Sequence, residues 1–385
     1  MSKQQKLLRL QAALDHKEGD RVPVSDFFWT GFLKNARKAW GEDVDIYRKF
    51  DLDYIVVNPN MDPVIQDFEI LRQEGDDILV KTGFGATVLR RGDLPMPHFE
   101  EFSIKEPEEM AGFVIEPAND PRRLERSGGD QINGLGDAIT FEIPSWISRV
   151  DAYCEDFPVF GSVCEGYEYV WRCMGTENAL YWMMLEPELF GDFMQRVGDF
   201  LVGLTKAQIE KAKGKLSGMY IWGDIAYVNG MLFSPEKWRE IFKPITQRII
   251  AECNKAGLMM IYHGCGNATP VYEDFIEIGL KGYNPVEVKA HLDVVELKKT
   301  YGGRLAFVGN IDVRELESGD KRRIKREVLY KLQAAQGGGY ICQSDHSVSS
   351  DVAAESYAYM VELAREYGTF PLDMERIKKE LEELQ

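Results

Sequence analysis

The chain has 385 residues, 44 % of them hydrophobic and 28 % charged. That length and composition exclude disorder as the main description and suit two domains or one large core. Lys and Arg number 46 against 63 Asp and Glu, a net charge of −17, which argues against nucleic acid or an anionic membrane as the partner.

The N-terminal stretch MSKQQKLLRLQAALDHKEGDRVPV is basic and amphipathic and lacks the apolar core of a signal peptide. No apolar run approaches the roughly 18 residues that span a bilayer. The expectation is a surface helix on a cytoplasmic protein. The six cysteines, Cys154, Cys164, Cys173, Cys253, Cys265 and Cys342, are scattered too widely for a secreted disulfide framework, so thiols or metal ligands are expected.

Short apolar runs follow one another along the chain at Val22–Val24, Tyr54–Val57, Val159–Phe160, Met219–Trp222, Met259–Tyr262, Gly282–Asn284, Leu305–Val308 and Tyr340–Cys342. Continuous runs of this kind suit strands buried on both faces. Residues 64–92 break the pattern and read as short antiparallel strands with turns at Gly75–Asp77 and Gly83–Gly85. Residues 118–137, rich in Pro, Gly, Asn and Asp, read as a long loop.

Helical periods lie between the later runs. Pro235–Lys255 opens with Ser234 as N-cap, buries Trp238, Ile241, Phe242, Ile245, Ile249 and Ile250 at helical spacing, and stops at Gly257. Glu186–Lys213, Pro270–Ile278, Lys321–Gln336 and Val352–Tyr367 read similarly. The basic run Lys321–Arg326 fits a solvated helix face. Eight strand runs with helical crossovers predict an α/β chain folded as a (β/α)8 TIM barrel, one domain over 1–385 with a β insertion over 64–92 after the second strand. A doubly wound open sheet is the weaker alternative, because no G-x-G-x-x-G follows an early strand.

The chemistry gathers at strand ends. In Met259–Asn267, MMIYHGCGN, an apolar strand runs into His263 and Cys265, with Gly264 and Gly266 allowing a sharp turn. Cys342 lies in GGGYICQSDHSVS, at the last strand run. If all three face one mouth, an imidazole and two thiolates make a site suited to zinc with a fourth position open. The plain alternative is two small buried cysteines and a core histidine.

The stretches YEYVW (167–171), WGD (222–224), HGCGN (263–267), YNPVEVKA (283–290), GNID (309–312) and GGGYICQSDHSV (337–348) resemble the uroporphyrinogen decarboxylase superfamily. Within it the chain is similar to the zinc-dependent, corrinoid-linked methyltransferases, whose H-x-C…C motif is matched by His263, Cys265 and Cys342. That resemblance implies a (β/α)8 barrel, a zinc ion, and a corrinoid carried by a separate protein, since the chain lacks the D-x-H-x-x-G pattern of a corrinoid domain. The decarboxylase's arginine-rich segment is replaced here by Ser25–Gly31, SDFFWTG.

Phe27, Phe28 and Trp29, with Trp171, Tyr181, Trp182 and Trp222, offer aromatic surface for a methoxylated ring, or else pack the core. The expected reaction is therefore methyl transfer from a methoxylated aromatic to a corrinoid protein. The alternatives are methylation of a coenzyme M-like thiol, a metal-free decarboxylase, and a barrel that binds zinc or corrinoid without catalysis. Glu168 and Asp224 are candidates for proton handling or a fourth zinc ligand. His346 and Asp345 are candidates for contacting the corrinoid or orienting a ligand, or else cap a loop. Asn310 and Asp312 are site or turn residues, and Cys154, Cys164, Cys173 and Cys253 are structural.

Overall fold

The computed structural model describes residues 2–66, 69–75, 77–91, 98–126 and 144–384. Part of the expected 118–137 loop lies outside these residues. Its frame is a curled, all-parallel sheet of seven strands. In chain order these are β1 (Ile55–Val56), β6 (Val159–Cys164), β7 (Leu216–Trp222), β10 (Met259–His263), β11 (Gly282–Asn284), β12 (Ala306–Ile311) and β13 (Tyr340–Ser344). Neighbours in sequence are neighbours in space, in the order β1-β6-β7-β10-β11-β12-β13, as helical crossovers of one hand require. β6, β12 and β13 are buried at every residue, which is why they read as unbroken apolar runs.

Between β1 and β6 lies a separate antiparallel sheet, β2 (Glu69–Glu74), β3 (Asp77–Lys81), β4 (Thr87–Arg90) and β5 (His98–Glu101). It reaches beyond the expected 64–92 because β5 pairs with β4 across residues that carry no strand pattern. A two-stranded ribbon, β8 (Ala226–Tyr227) and β9 (Gly230–Met231), follows β7.

The run Val22–Val24 forms no extended strand of its own. It makes a single parallel bridge, Val24 to Cys342. The Cys342 N–H donates to Pro23 O at 2.9 Å, and the Asp53 N–H donates to Val24 O at 2.8 Å. This segment therefore sits between β13 and the residues that lead into β1.

Strand alternation divides the core in two. Tyr54, Val56, Phe160, Tyr220, Met259, Ile261, Ala306, Val308 and Ile341 form an inner cluster with Leu10, Ala13 and Leu14 of α1 (Lys3–Leu14). Helix α1 plugs the N-terminal end of the sheet, where the Gly339 N–H donates to Ala13 O at 3.0 Å. The alternate strand residues, among them Met260, Tyr262, Phe307, Tyr340 and Cys342, pack outward against the helices.

These helices include α2 (Thr30–Trp40), α3 (Trp146–Tyr153), α4 (Gly166–Met174), α5 (Thr176–Leu185), α6 (Pro187–Ala212), α7 (Lys243–Lys255), α8 (Tyr272–Glu277), α9 (Val294–Tyr301), α10 (Lys321–Leu332), α11 (Ala354–Tyr367) and α12 (Met374–Glu383). None of the described helices is long and apolar enough to cross a membrane. The expected helix 235–255 is not uniform. Ser234 caps Pro235–Lys237, residues Trp238–Phe242 widen into a π turn, and α7 continues from Lys243. Pro244 has no N–H to close the regular ladder there, so the helix bulges.

Asp53, fully buried, holds this frame together. It accepts from Arg9 of α1, from Arg21 Nη1 at 2.9 Å and from the Val24 N–H at 2.7 Å. Removing one member of a buried ion-pair network strands the others and costs about 3–5 kcal/mol. Asp53→Ala is expected to lower unfolding free energy by that amount, measured by urea denaturation. Asp156→Ala, which breaks a surface pair with Arg48, is expected to change it by less than about 1 kcal/mol.

Candidate metal centre

The site lies at the C-terminal ends of β7, β10 and β11, away from the α1 plug. Residues 259, 261 and 263 share the inner face of β10, and the turn that follows keeps Cys265 on that side. Two glycines make the turn possible. A Cβ on Gly264 would lie 2.8 Å from Gly223 O and 2.9 Å from the Tyr283 hydroxyl, and Gly266 has φ +80°.

His263 is held in one tautomer. Asn284 Nδ2 donates to Val308 O at 2.9 Å, so Asn284 Oδ1 faces the ring and accepts from His263 Nδ1–H at 2.6 Å. Nε2 is then the unprotonated nitrogen. It faces Cys265 Sγ at 3.6 Å and Asp224 Oδ1 at 3.8 Å. Burial holds the ring's pKa below its ordinary value, which keeps the imidazole neutral.

Asp224 reaches the same point from the end of β7 and accepts from the Cys265 N–H at 2.8 Å. One ligand atom from each of Asp224, His263 and Cys265 lies within 4.8 Å of the others. A second such group joins Cys265 to Glu287 and His346. Glu287 Oε2 accepts from the Gly266 N–H at 2.7 Å, and its Oε1 pairs with Lys289 at 2.9 Å.

Burial raises the Asp224 carboxyl, and Glu287 raises it further, although 47 % of the Asp224 side chain remains open to the mouth. Burial, then Asp224 and Glu287, push the Cys265 thiol well above its ordinary range. Two carboxylates, Asp224 and Glu287, thus flank the Cys265 thiol from two overlapping donor groups, and a bound cation would relieve their repulsion. The nitrogen, sulfur and oxygen donors suit zinc, so the residues present fit that ion.

Cys342 does not join them. It was expected at the mouth with His263 and Cys265, but it lies on the outward face of β13 among Tyr340 and Tyr357. Strand alternation turns it away: Ile341 faces in, so Cys342 faces out. Burial pushes its thiol up to about 12. The donor that the chain just past β13 brings beside Cys265 is His346, four residues further on.

Glu168, on α4, is buried and held by Arg172 Nη2 at 2.6 Å and by Trp171 Nε1 at 3.0 Å. Burial raises its pKa despite Arg172, and nearby Asp224 adds to the rise. It borders the donor set without belonging to it.

Asp345 brackets two loops, accepting from the Val288 and Val313 N–H groups at 2.9 Å each. Asn310, near the end of β12, ties the 286–294 loop, and Asp312 caps a short helix beside Arg314. Cys154, Cys164, Cys173 and Cys253 are buried and form no disulfide.

Of the aromatic residues, Phe27, Tyr220 and Trp222 form a wall against His263, with ring centroids 6.5, 6.4 and 5.0 Å from the imidazole. Trp29 meets the His346 ring edge-on at 5.0 Å. Phe28 instead packs between Phe32 and Tyr357 in the outer core. Trp171 packs on Phe99, Tyr181 is exposed and Trp182 is buried. Sequence reasoning passed over Asn284 and Glu287, although both stand in the YNPVEVKA stretch, where a polar residue ends a buried strand.

The uroporphyrinogen decarboxylase (URO-D) family model matches residues 146–367. The chain belongs to that family. Comparison with curated proteins finds no match. Among solved structures, a methyltransferase from Methanosarcina mazei shares 18 % identity over 94 % of this chain and 98 % of its own, with a TM-score of 0.63. This URO-D member therefore shares that protein's fold. A putative vitamin-B12 independent methionine synthase from Listeria monocytogenes is 11 % identical over 90 % of this chain and 96 % of its own, with a TM-score of 0.43.

Losing the partner that orients a ligating histidine typically costs 10–100-fold in metal affinity. Asn284→Ala is expected to weaken zinc binding by about that factor, measured by chelator competition. Cys265→Ser and His346→Ala are expected to lower zinc per chain in elemental analysis, and Cys342→Ser to leave it unchanged.

Proposed function

We propose that this chain is a zinc-dependent methyltransferase. It moves a methyl group from a methoxylated aromatic to the cobalt of a separate corrinoid protein. We also propose that the frame is a (β/α)8 barrel over 1–385. The run Val22–Val24 takes the first strand position, and the antiparallel sheet is an insertion after the second strand.

The observation that carries this reading is the convergence of His263 Nε2, Cys265 Sγ and Asp224 Oδ1 beside an aromatic wall. Zinc would be held by His263, Cys265 and Asp224, with His346 and Glu287 beside Cys265, and would supply Lewis acidity that favours an alkoxide or phenoxide leaving group. Phe27 and Trp222 stack the ring and exclude water from it. Asn284 keeps Nε2 of His263 free of a proton. Burial raises the Glu168 carboxyl, and beside the donor set it can hold a proton and return it to the departing phenoxide. A corrinoid on a partner accepts the methyl group.

Lys289 favours a second reading. Within the YNPVEVKA stretch, Lys289 stands against Glu287 and its charge acts on Cys265. An anionic thiol would find a counter-charge there, and the methyl group would then run from the corrinoid to that thiol.

The experiment is methyl transfer with a reduced corrinoid protein, followed by the cobalt absorbance, on a panel of methoxylated aromatics and small thiols. Demethylation of an aromatic with little thiol turnover is the expected result. Thiol methylation alone would select the second reading. Phe27→Ala is expected to raise KM for the aromatic about 10-fold with a smaller change in kcat, as for lost uniform binding.

A further inference from the structure

Asp26 stands behind the metal centre, not in it. It is 1 % exposed, and its carboxyl meets the Phe27 N–H at 3.0 Å, the Ser344 N–H at 3.3 Å and Ser344 Oγ at 2.5 Å. Among the described residues no Lys or Arg pairs with it. The groups facing it are Asp345 and Cys342, with the phenols of Tyr47, Tyr54, Tyr220, Tyr340 and Tyr357. A carboxylate in that shell would have no cation to compensate it.

The proton inventory points the same way. Ser344 Oγ is bonded both to Asp26 Oδ1 and to the His346 carbonyl oxygen. A hydroxyl has one proton, and a carbonyl has none to give. The Ser344 hydroxyl donates to His346 O, so the hydrogen on the Asp26 side comes from the carboxyl.

We infer that Asp26 is a neutral acid that donates through Ser344 to the His346 backbone, and is thereby the positioning residue for the β13 arm of the metal centre. The same residue precedes Phe27 of the aromatic wall. The Phe27 carbonyl accepts from the Val348 N–H at 2.8 Å, and the Trp29 N–H donates to Val348 O at 3.0 Å. The two site-lining segments, 26–29 and 344–348, are zipped together, with the Asp26 proton at the head of the zip. This deepens the function proposed above and rests on His346 being a metal ligand.

Burial raises Asp26 to about 7. An acid raised on folding stabilises the fold at low pH and loses that contribution as pH climbs from about 4, its unfolded value, through about 7. Above that the carboxylate needs the Ser344 proton for itself, and the His346 carbonyl is released.

The first test is infrared titration of the metal-free protein, wild type against Asp26→Asn. A neutral carboxylic band at about pH 6 that fades above about pH 7 and is missing from the variant is expected. No difference band at about pH 6 would overturn the inference, whatever the enzyme's reaction proves to be. Should Asp26→Asn fail to fold, Ser344→Ala is expected to shift that band in frequency, and an unshifted band overturns the relay.

The second test is zinc affinity by chelator competition at about pH 6 and about pH 9. Wild type is expected to fall about 10-fold relative to Asp26→Asn as pH rises, as for loss of an orienting contact. A ratio that stays constant across that range overturns the positioning role. If His346→Ala binds zinc like wild type, the metal reading fails, and the infrared result still stands or falls by itself.

Discussion

A fully buried aspartate bears on every part of the frame. Asp53 takes hydrogen bonds from the helix that plugs the sheet, from Arg21 and from the backbone of the segment beside β13. Buried charges persist only when paired and hydrogen-bonded, so the helix, the 21–24 segment and the residues leading into β1 are constrained together. The plug then presses Leu10, Ala13 and Leu14 into the inner cluster. Burying those side chains contributes about 1.5–3 kcal/mol for each large one. With that end closed by apolar packing, the polar residues collect at the opposite end, where the strands finish.

The candidate metal centre shows how little freedom each donor is left. Val308 fixes the amide of Asn284, Asn284 fixes the ring of His263, and the backbone N–H groups of Cys265 and Gly266 fix Asp224 and Glu287. Each carboxylate is aimed by the turn that also carries the thiol. The glycines at 264 and 266 are required because neighbouring backbone approaches too closely for a side chain. The result is a cup of donors each fixed by a neighbour, the preorganisation that a metal site requires.

Much of this was legible in the sequence. Seven of the eight apolar runs correspond to strands of the parallel sheet, because strands buried on both faces must be apolar throughout. His263, Cys265 and Asp224 were placed at strand ends by local pattern alone. What misled was Cys342. Its residue type and spacing matched a ligand motif, while its position on β13 pointed it outward. A shift of one residue along a strand reverses the face, and short apolar runs carry no mark of which face is inner. The segment 22–24 failed as a strand for a related reason: its hydrogen bonds go to two different neighbours and make only one ladder bridge.

The sequence by itself determined the family, the parallel α/β alternation and the imidazole–thiol pair, since each is written in local order: motif, period and spacing. Only the tertiary structure decided which donors meet. Asp224, Glu287 and His346 lie far from one another along the chain, and their approach to Cys265 is set by the curl of the sheet and by hydrogen bonds made across it. The same holds for Asp26. Its acidity follows from the absence of a cation and from a serine 318 residues away, and no local pattern encodes either.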